Sequence, residues 1–157
     1  MEYDKISYSE AKLRLNSTGA EYDMKSIRES NELNKTLLKA AAIAKGLAQD
    51  KIKSLVFCVF VEEAQALCDE LNASGAACAV VSAGTAKKER ERIIEEFKNG
   101  NIDIVVNVGT LTTGFDFPEL GAVLLVRPTR SVGLYYQMCG RAVRCAEGKS
   151  RALIIDF

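Results

Sequence analysis

Apolar residues along the chain follow two patterns, a helical spacing of three and four residues and short continuous runs. Continuous apolar runs of this length are typical of strands that are buried on both faces of a parallel sheet. The hydroxyls of Thr85 and Ser131 can accept hydrogen bonds from free helix amides, so both residues are predicted to cap helices. The helical spacing predicts helices over Ser30–Gln49, Glu62–Asn72, from about Thr85 to Asn99, and Val132–Val143. The continuous runs predict strands over Ser54–Phe60, Ala77–Val81, Ile102–Val108, Ala122–Arg127 and Ala152–Phe157.

The order of these elements predicts an α/β domain, a parallel sheet with helices on both faces. This domain is expected to occupy residues 30–157, whereas residues 1–29 are polar and weakly periodic. We interpret them as a lead-in segment with a short helix over Ser9–Leu15. Ligands of open parallel sheets bind at the carboxyl ends of the strands, so any site is expected there. The chain stops directly after its last predicted strand, and we expect it to be a piece of a longer protein.

Composition narrows the possible functions. The 157 residues are 48% apolar and 27% charged, which is typical of one globular domain. Lys plus Arg and Asp plus Glu both total 21, so a bulk electrostatic hold on nucleic acid is not expected. The absence of histidine excludes a histidine base, and the five cysteines, without a CxxC pattern, predict buried thiols in a reducing cytosol rather than disulfides or a metal site. No apolar run approaches the length of a membrane span, so we expect a soluble, cytoplasmic protein.

The segment SVGLYYQMCGRAVR, residues 131–144, carries the clearest candidate chemistry. On a helix, Gln137, Arg141 and Arg144 would share a stripe about 60° wide that contains no acid. Gly140 lies beside this stripe and indicates a close approach to another group. Arginine forks bind phosphate in a bidentate manner, so the stripe favours a phosphate-rich partner, with a solvated helix face as the alternative. The opposite face would pack on the sheet through Val132, Tyr135, Tyr136, Cys139, Ala142 and Val143.

A second segment, NVGTLTTGFDFPEL over residues 107–120, directly follows the third predicted strand. Its threonine hydroxyls and glycine amides, among them those of Thr110, Thr113 and Gly114, suit a phosphate backbone or a nucleotide sugar. The carboxylate of Asp116 could accept a hydrogen bond from a ribose hydroxyl. The alternative is a structural turn that Pro118 closes.

A third segment, VSAGTAKKERER over residues 81–92, places Gly84 and Thr85 before a helix with basic first turns. A helix N-terminus with nearby cations can seat a phosphate. The interleaved Glu89 and Glu91 leave a solvated, salt-bridged first turn as an equal alternative.

The run Gly148-Lys149-Ser150 resembles the end of a triphosphate-binding loop. The full pattern GxxxxGK[ST] needs a glycine where this chain has Val143, and it needs a strand before it and a helix after it. Here a predicted helix precedes the run and a predicted strand follows it. The chain is therefore predicted to lack the loop that holds a nucleoside triphosphate.

Taken in order, these segments resemble the second RecA-like domain of a superfamily 2 helicase or translocase. Phe57–Leu67 resembles motif IV, and residues 84–97 resemble the segment after it. The run TLTTGFDFP, residues 110–118, resembles motif V, and QMCGRAVR, residues 137–144, matches the QxxGRxxR core of motif VI at every fixed position. The fuller pattern is most similar to bacterial DNA helicases of the RadD type and the related XPB-like group. The resemblance covers about residues 50–157.

The resemblance implies a RecA-like fold of the P-loop NTPase type and an ATP site shared between two domains. A first RecA-like domain of the same parent chain would hold most of the ATP and the Mg²⁺. Arg141 and Arg144 would reach the phosphates, one of them as an arginine finger, and Gln137 would couple the nucleotide and strand sites. Gly114 and Asp116 would lie beside the nucleotide.

The resemblance also implies contacts with one nucleic-acid strand, for which DNA is favoured. Two positions depart from the family pattern: Phe60 stands where motif IV is often small and polar, and Ala83 replaces a residue that is often glycine. The strand contacts that the resemblance implies are Gly84, Thr85, Thr110 and Thr113.

A stand-alone, non-catalytic α/β module that binds a nucleotide or an acidic partner protein fits the missing triphosphate loop equally well.

Overall fold

The computed structural model describes residues 13–110 and 116–157. Helices and strands largely alternate within these residues, as the apolar pattern predicts. The helices of this described part are α1 (Met24–Leu33), α2 (Thr36–Gln49), α3 (Val61–Ala73), α4 (Lys87–Asn99) and α5 (Val132–Cys139). Its strands are β1 (Ser54–Cys58), β2 (Cys78–Ser82), β3 (Ile104–Val108), β4 (Ala122–Leu125) and β5 (Leu153–Asp156).

The strands form one sheet in the order β2-β3-β1-β4-β5, and each strand runs parallel to its neighbours. Ser82 at the end of β2 lies opposite Val108 at the end of β3, so the segments after these strands begin side by side. The last two strands are also neighbours, with Ala122 opposite Leu153. The chain segments that lead into β4 and β5 therefore reach adjacent positions. The predicted α/β fold with a parallel sheet is confirmed.

Helices cover both faces of the sheet because the side chains of each strand alternate between two cores. In β1, Val56 and Cys58 face one core, whereas Leu55 and Phe57 face the other. Full burial of one such side chain stabilises the fold by about 1.5–3 kcal/mol. The first core also contains Ala44 and Leu47 of α2 and Leu67 and Leu71 of α3. The second also contains Ile93 and Phe97 of α4 and Met138 and Cys139 of α5.

The predicted helix over Ser30–Gln49 is wrong, because two helices occupy this region. α1 begins at Met24, inside the predicted lead-in, and the carboxylate of Asp23 caps it by accepting a hydrogen bond from the Ser26 amide at 3.0 Å. Lys35 has a left-handed backbone conformation with φ of 50°, which interrupts the helix without changing the apolar spacing. The boundary between lead-in segment and domain, which the sequence places at residue 30, stays a prediction. Helix α1 spans this position.

The described part of the N-terminal segment is tied to the β4–α5 connection. The Glu21 carboxylate accepts hydrogen bonds from the Thr129 hydroxyl at 2.5 Å and from the Arg130 amide at 3.2 Å. The predicted helix over Ser9–Leu15 lies outside the described residues except for its last three positions. Leu15 is extended there and forms an antiparallel bridge with Tyr22.

Two helix boundaries also differ from prediction. α4 is capped at Ala86 without a side-chain hydrogen bond, so the predicted Thr85 cap is wrong. α5 ends at Cys139 rather than at Val143. The Ser131 cap is confirmed, because its hydroxyl accepts a hydrogen bond from the Leu134 amide at 3.2 Å.

All five cysteines lie in the described residues and carry free thiols. Cys58, Cys68 and Cys139 are buried as predicted, Cys78 is half-buried, and Cys145 is exposed, which corrects the expectation for that thiol. None of the helices in the described part of the chain combines the length and the apolar content that a membrane span requires.

Candidate functional site

The two predicted arginines lie on a turn that follows α5, which we call the arginine turn and define as residues 140–144. The Arg141 amide donates to the Met138 carbonyl at 3.2 Å, and the Ala142 amide donates to the Cys139 carbonyl at 3.0 Å. These bonds span three residues and therefore form a tight 3₁₀-type turn rather than a further α-helical turn. The predicted helical stripe is wrong for both arginines, whereas Gln137 lies on α5 and is exposed.

Gly140 permits the close turn at the end of α5. A Cβ atom at this position would lie 2.8 Å from the backbone carbonyl oxygen of Tyr136. That distance is well inside van der Waals contact, so a larger residue would push the arginine turn away from the helix. Gly140 therefore does lie close to another group, as the sequence indicates. That group is the Tyr136 carbonyl in the preceding turn of the same segment.

The buried side of α5 also differs from prediction. Met138 and Ala142 are fully buried, and Cys139 is 7% exposed. Tyr136 is 70% exposed, because this eight-residue helix packs on the sheet mainly through its last turn. The predicted packing is correct for Cys139 and Ala142 and wrong for Val132, Tyr135, Tyr136 and Val143.

Asp116 and Arg144 form an ion pair that joins the second and first candidate segments. The carboxylate is held in place by the next residue, Phe117, which is 7% exposed and packs edge-on against Phe97 with ring centroids 5.2 Å apart. Ala142 anchors the other segment in the same core. The side chains of the pair remain partly open to solvent, 69% for Asp116 and 41% for Arg144.

The half-buried Arg141 guanidinium lies close to this pair. Burial lowers its pKa from the usual value, the nearby charge of Arg144 lowers the pKa further, and Asp116 raises it. An arginine nevertheless stays protonated in proteins. Arg141, Arg144 and Asp116 therefore form one charged group, which we call the arginine–aspartate cluster.

The chemistry of this cluster fits a nucleotide. Two guanidinium groups offer planar sets of N–H donors that match phosphate oxygens, and an open carboxylate can accept from a sugar hydroxyl. Within the described residues no group of three Cys, Asp or Glu side chains is placed to hold a metal ion. Gly114, which the sequence places beside the nucleotide, lies outside the described residues.

The predicted strand contacts lie elsewhere, at the carboxyl ends of β2 and β3. Thr110 follows β3, and its hydroxyl and amide donate to the side-chain oxygen of buried Asn107 at 2.7 and 3.3 Å. Asn107 is a polar residue inside an apolar run, and sequence reasoning gave it no role. Gly84 and Thr85 follow β2, whose last residue Ser82 lies opposite Val108 at the end of β3. Thr113 lies outside the described residues.

The segment between β2 and α4 is a compact turn. The Ser82 amide donates to the Thr85 hydroxyl oxygen at 2.9 Å, and the Gly84 amide donates to the Ser82 hydroxyl oxygen at 3.3 Å. Arg90 donates to the Ser82 and Thr85 carbonyls at 3.4 and 3.3 Å. The ion pairs Lys87–Glu91 and Glu89–Arg92 are those of a salt-bridged first turn.

Phe60, which departs from the usual motif IV pattern, contacts a side chain of α1. The guanidinium carbon of Arg28 lies 4.2 Å from the centre of the Phe60 ring, and Arg28 also pairs with Glu62 at 3.4 Å. The Phe60 ring, at the N-cap of α3, therefore packs against the Arg28 side chain of α1.

The expectation that any site lies at the carboxyl ends of the strands holds only in part. Gly84, Thr85 and Thr110 are placed there, but the arginine–aspartate cluster lies on the segments that lead into β4 and β5.

Lys149 received no functional role from the sequence. The Lys149 amino group donates to three backbone carbonyls, those of Pro118, Ala142 and Arg144.

Comparison with known proteins places the chain in a family. The family model described as helicase conserved C-terminal domain matches residues 20–146. The putative ATP-dependent helicase IRC3 of Saccharomyces cerevisiae is 35% identical over 135 residues, which are 85% of this chain and 19% of that protein. UvrABC system protein B of Chlamydia abortus is 32% identical over 112 residues, covering 68% of this chain and 17% of that protein.

Solved structures with low sequence identity share the fold. The E. coli DEAD-box protein SrmB, solved with regulator of ribonuclease activity A, has a TM-score of 0.64 at 22% identity and aligns over 76% of this chain and 70% of that one. The helicase MrfA bound to DNA and AMPPNP has a TM-score of 0.66 at 21% identity, over 76% and 17% of the two chains. The chain spans about a fifth of the length of curated relatives such as IRC3. Because the family model matches residues 20–146 and IRC3 is 35% identical over 85% of this chain, the chain belongs to the family of helicase conserved C-terminal domains of superfamily 2.

Proposed function

We propose that this chain is the second motor domain of an ATP-dependent superfamily 2 nucleic-acid helicase or translocase. The observation that carries the proposal is the arginine–aspartate cluster, in which the Arg144–Asp116 ion pair joins motif VI to motif V. Two cations lie on a turn that buried Met138 and Ala142 hold in place. They form a preorganised site that donates hydrogen bonds to phosphate oxygens.

The nucleotide site is shared in this proposal. ATP and Mg²⁺ bind mainly to a first RecA-like domain of the same parent protein, and ATP supplies the phosphoryl group that is transferred to water. Arg141 and Arg144 bind the phosphates, and one of them stabilises the charge that develops during transfer. Such a finger raises the rate by about 10³–10⁵ in well-defined systems. Asp116 accepts from the ribose, Gly114 lies beside the nucleotide, and Gln137 couples this site to the strand.

The strand site in this proposal is the carboxyl edge of β2 and β3. Gly84, Thr85, Thr110 and Thr113 contact the backbone of one strand through amides and hydroxyls, and DNA is the strand we favour. Binding there follows backbone contacts rather than base edges, so it is independent of sequence. Stimulation of ATP hydrolysis by single-stranded DNA and RNA of the same sequence, measured side by side, tests the choice of DNA. We place the parent protein in the cytoplasm, where its free thiols stay reduced.

The test of the motor assignment uses the longer protein and three variants. Arg144→Ala and Arg141→Ala should abolish strand-stimulated ATP hydrolysis and leave ATP binding largely intact, because the arginines act on charge that develops in the transition state. Arg151→Ala is the matched control, since this exposed arginine lies outside the cluster. Normal hydrolysis in the Arg144→Ala and Arg141→Ala proteins would refute the assignment.

The alternative, a non-catalytic binding module, predicts a different result for the chain alone. A half-site without a triphosphate-binding loop should hydrolyse ATP no faster than a buffer control. A reading frame upstream of this chain with GxxxxGK[ST] and a following DExx acid pair supports the motor, and its absence supports the module. Magnesium-dependent turnover by residues 1–157 alone, lost in Arg144→Ala, would contradict the shared site.

A further inference from the structure

Lys149 joins the two halves of the arginine–aspartate cluster through its amino group. Its Nζ atom donates to the Pro118 carbonyl at 2.8 Å, to the Ala142 carbonyl at 2.5 Å and to the Arg144 carbonyl at 3.0 Å. Pro118 belongs to the Asp116 segment, whereas Ala142 and Arg144 belong to the arginine turn. One side chain therefore fixes the backbone of both segments that carry the ion pair.

The donors and acceptors at Lys149 match in number. An ammonium group has three N–H donors, and three carbonyl oxygens receive them. The carbonyls of Ala142 and Arg144 lie beyond the end of α5 at Cys139, so they are not part of its helical hydrogen bonds and can accept from a nearby cation. Because all three donors are used, Lys149 is placed to hold the turn rather than to bind phosphate itself.

The local sequence explains how the lysine reaches this position. Gly148 has φ of 77°, a conformation that glycine adopts without strain, and the Lys149 amide donates to the Ala146 carbonyl at 3.1 Å. The chain therefore turns back at residues 146–149 and directs Lys149 toward the arginine turn. The Gly-Lys pair resembles a phosphate-binding motif, but here the glycine makes a turn and the lysine contacts the protein.

We propose that Lys149 is a positioning residue, which sets the placement of Arg141 and Arg144 relative to Asp116 by holding the arginine turn against the Pro118 segment. The proposal rests on the proposed motor function for its catalytic consequence. Its structural part concerns this chain alone.

The structural part is tested by amide hydrogen exchange in the 157-residue chain. Lys149→Met should accelerate exchange of the Arg141 and Ala142 amides and leave β1 and β3 unchanged. Lys45→Met is the matched control, because Lys45 is an exposed lysine on α2, and α2 packs into the core on the other face of the sheet. If Lys149→Met and Lys45→Met give the same exchange at the arginine turn, the proposal is overturned.

The catalytic part is tested in the longer protein by separating kcat from KM. A misplacement of about 1 Å can cost about 10²-fold in rate, so Lys149→Met should lower kcat by about 10–100-fold while KM for ATP stays near the wild-type value. Lys149→Arg should restore only part of kcat, because a guanidinium cannot direct three donors to convergent carbonyls as an ammonium does. A raised KM with unchanged kcat would mean that Lys149 binds phosphate directly and would overturn the proposal.

Comparison of the two single variants, Arg144→Ala and Lys149→Met, distinguishes failure of this proposal from failure of the motor assignment. If Arg144→Ala removes hydrolysis and Lys149→Met changes neither exchange nor kcat, the positioning role is wrong and the motor assignment stands. If Arg144→Ala leaves hydrolysis normal, the motor assignment is wrong and so is the catalytic role of Lys149.

Discussion

Arg144 should matter for catalysis and hardly at all for the stability of this domain. Its ion pair with Asp116 is solvated, with side-chain exposures of 41% and 69%. Exposed ion pairs contribute about 0.2–1 kcal/mol to the free energy of unfolding, because water and salt screen the charges. Replacing Arg144 with alanine should therefore cost no more than about 1 kcal/mol.

Met138 provides the contrast within the same segment. It is fully buried in the core that contains Cys139 and Ala142. Truncation of a buried methionine to alanine costs about 2–5 kcal/mol, because the cavity is not refilled. For a chain of this size each kcal/mol shifts Tm by about 2–4 °C, so Met138→Ala should lower Tm by about 4–20 °C and Arg144→Ala by at most about 4 °C.

Thermal unfolding of the 157-residue chain, followed by circular dichroism at one protein concentration, measures both shifts. Cys139→Asp extends the test, because it would bury an unpaired carboxylate and should unfold the domain. A loss of several kcal/mol in Arg144→Ala, comparable with that of Met138→Ala, would show that Arg144 is structural. The catalytic interpretation of the cluster would then fail.

Three further predictions concern pH, backbone and strand binding. Burial raises the pKa of Glu63, although the Asn31 side-chain amide donates to its carboxylate at 2.9 Å. The stability that Glu63 contributes is therefore present below about pH 4.3 and is lost as the pH rises through the raised pKa. The free energy of unfolding in urea should decline less across this pH range in Glu63→Gln than in the wild type, and an equal decline contradicts this role of Glu63. Gly140→Ala should cost about 1–3 kcal/mol by overpacking, whereas Gly133→Ala on α5, where a Cβ meets nothing closer than 4.0 Å, should be neutral or stabilising in the same thermal assay. The chain alone should bind single-stranded DNA near the weak end of about 10⁻⁴–10⁻⁶ M with a shallow salt slope, and nanomolar, salt-resistant binding in fluorescence anisotropy would point to a complete binding module.

The apolar pattern alone determined the order of the strands along the chain and the class of the fold. Continuous runs such as that of β1 are buried on both faces, and burial on both faces requires helices on both sides of a parallel sheet. The pattern could not reveal the break at Lys35. Two residues, Asn34 and the left-handed Lys35, separate α1 from α2 and leave the spacing of apolar residues intact.

Motif spacing identified Arg141, Arg144 and Asp116 as candidate site residues, because their types and order along the chain are local properties. The geometry that unites them is tertiary. A helical wheel assumes that α5 continues, but Gly140 ends it, so the arginines lie on a turn whose placement depends on the buried neighbours Met138 and Ala142. The wheel also assigned Tyr136 to the core, although the structure leaves it exposed.

Lys149 marks the limit of what the sequence by itself could determine. Its neighbours along the chain suggest an incomplete phosphate loop, whereas its three acceptors come from Pro118, Ala142 and Arg144. No local pattern encodes these contacts, since they exist only after β4 and β5 pair and bring the two preceding segments together. The sequence determined which residues carry charge, and the tertiary structure decided which of them bind ligand and which hold the backbone, because that choice depends on the acceptors that folding places within reach.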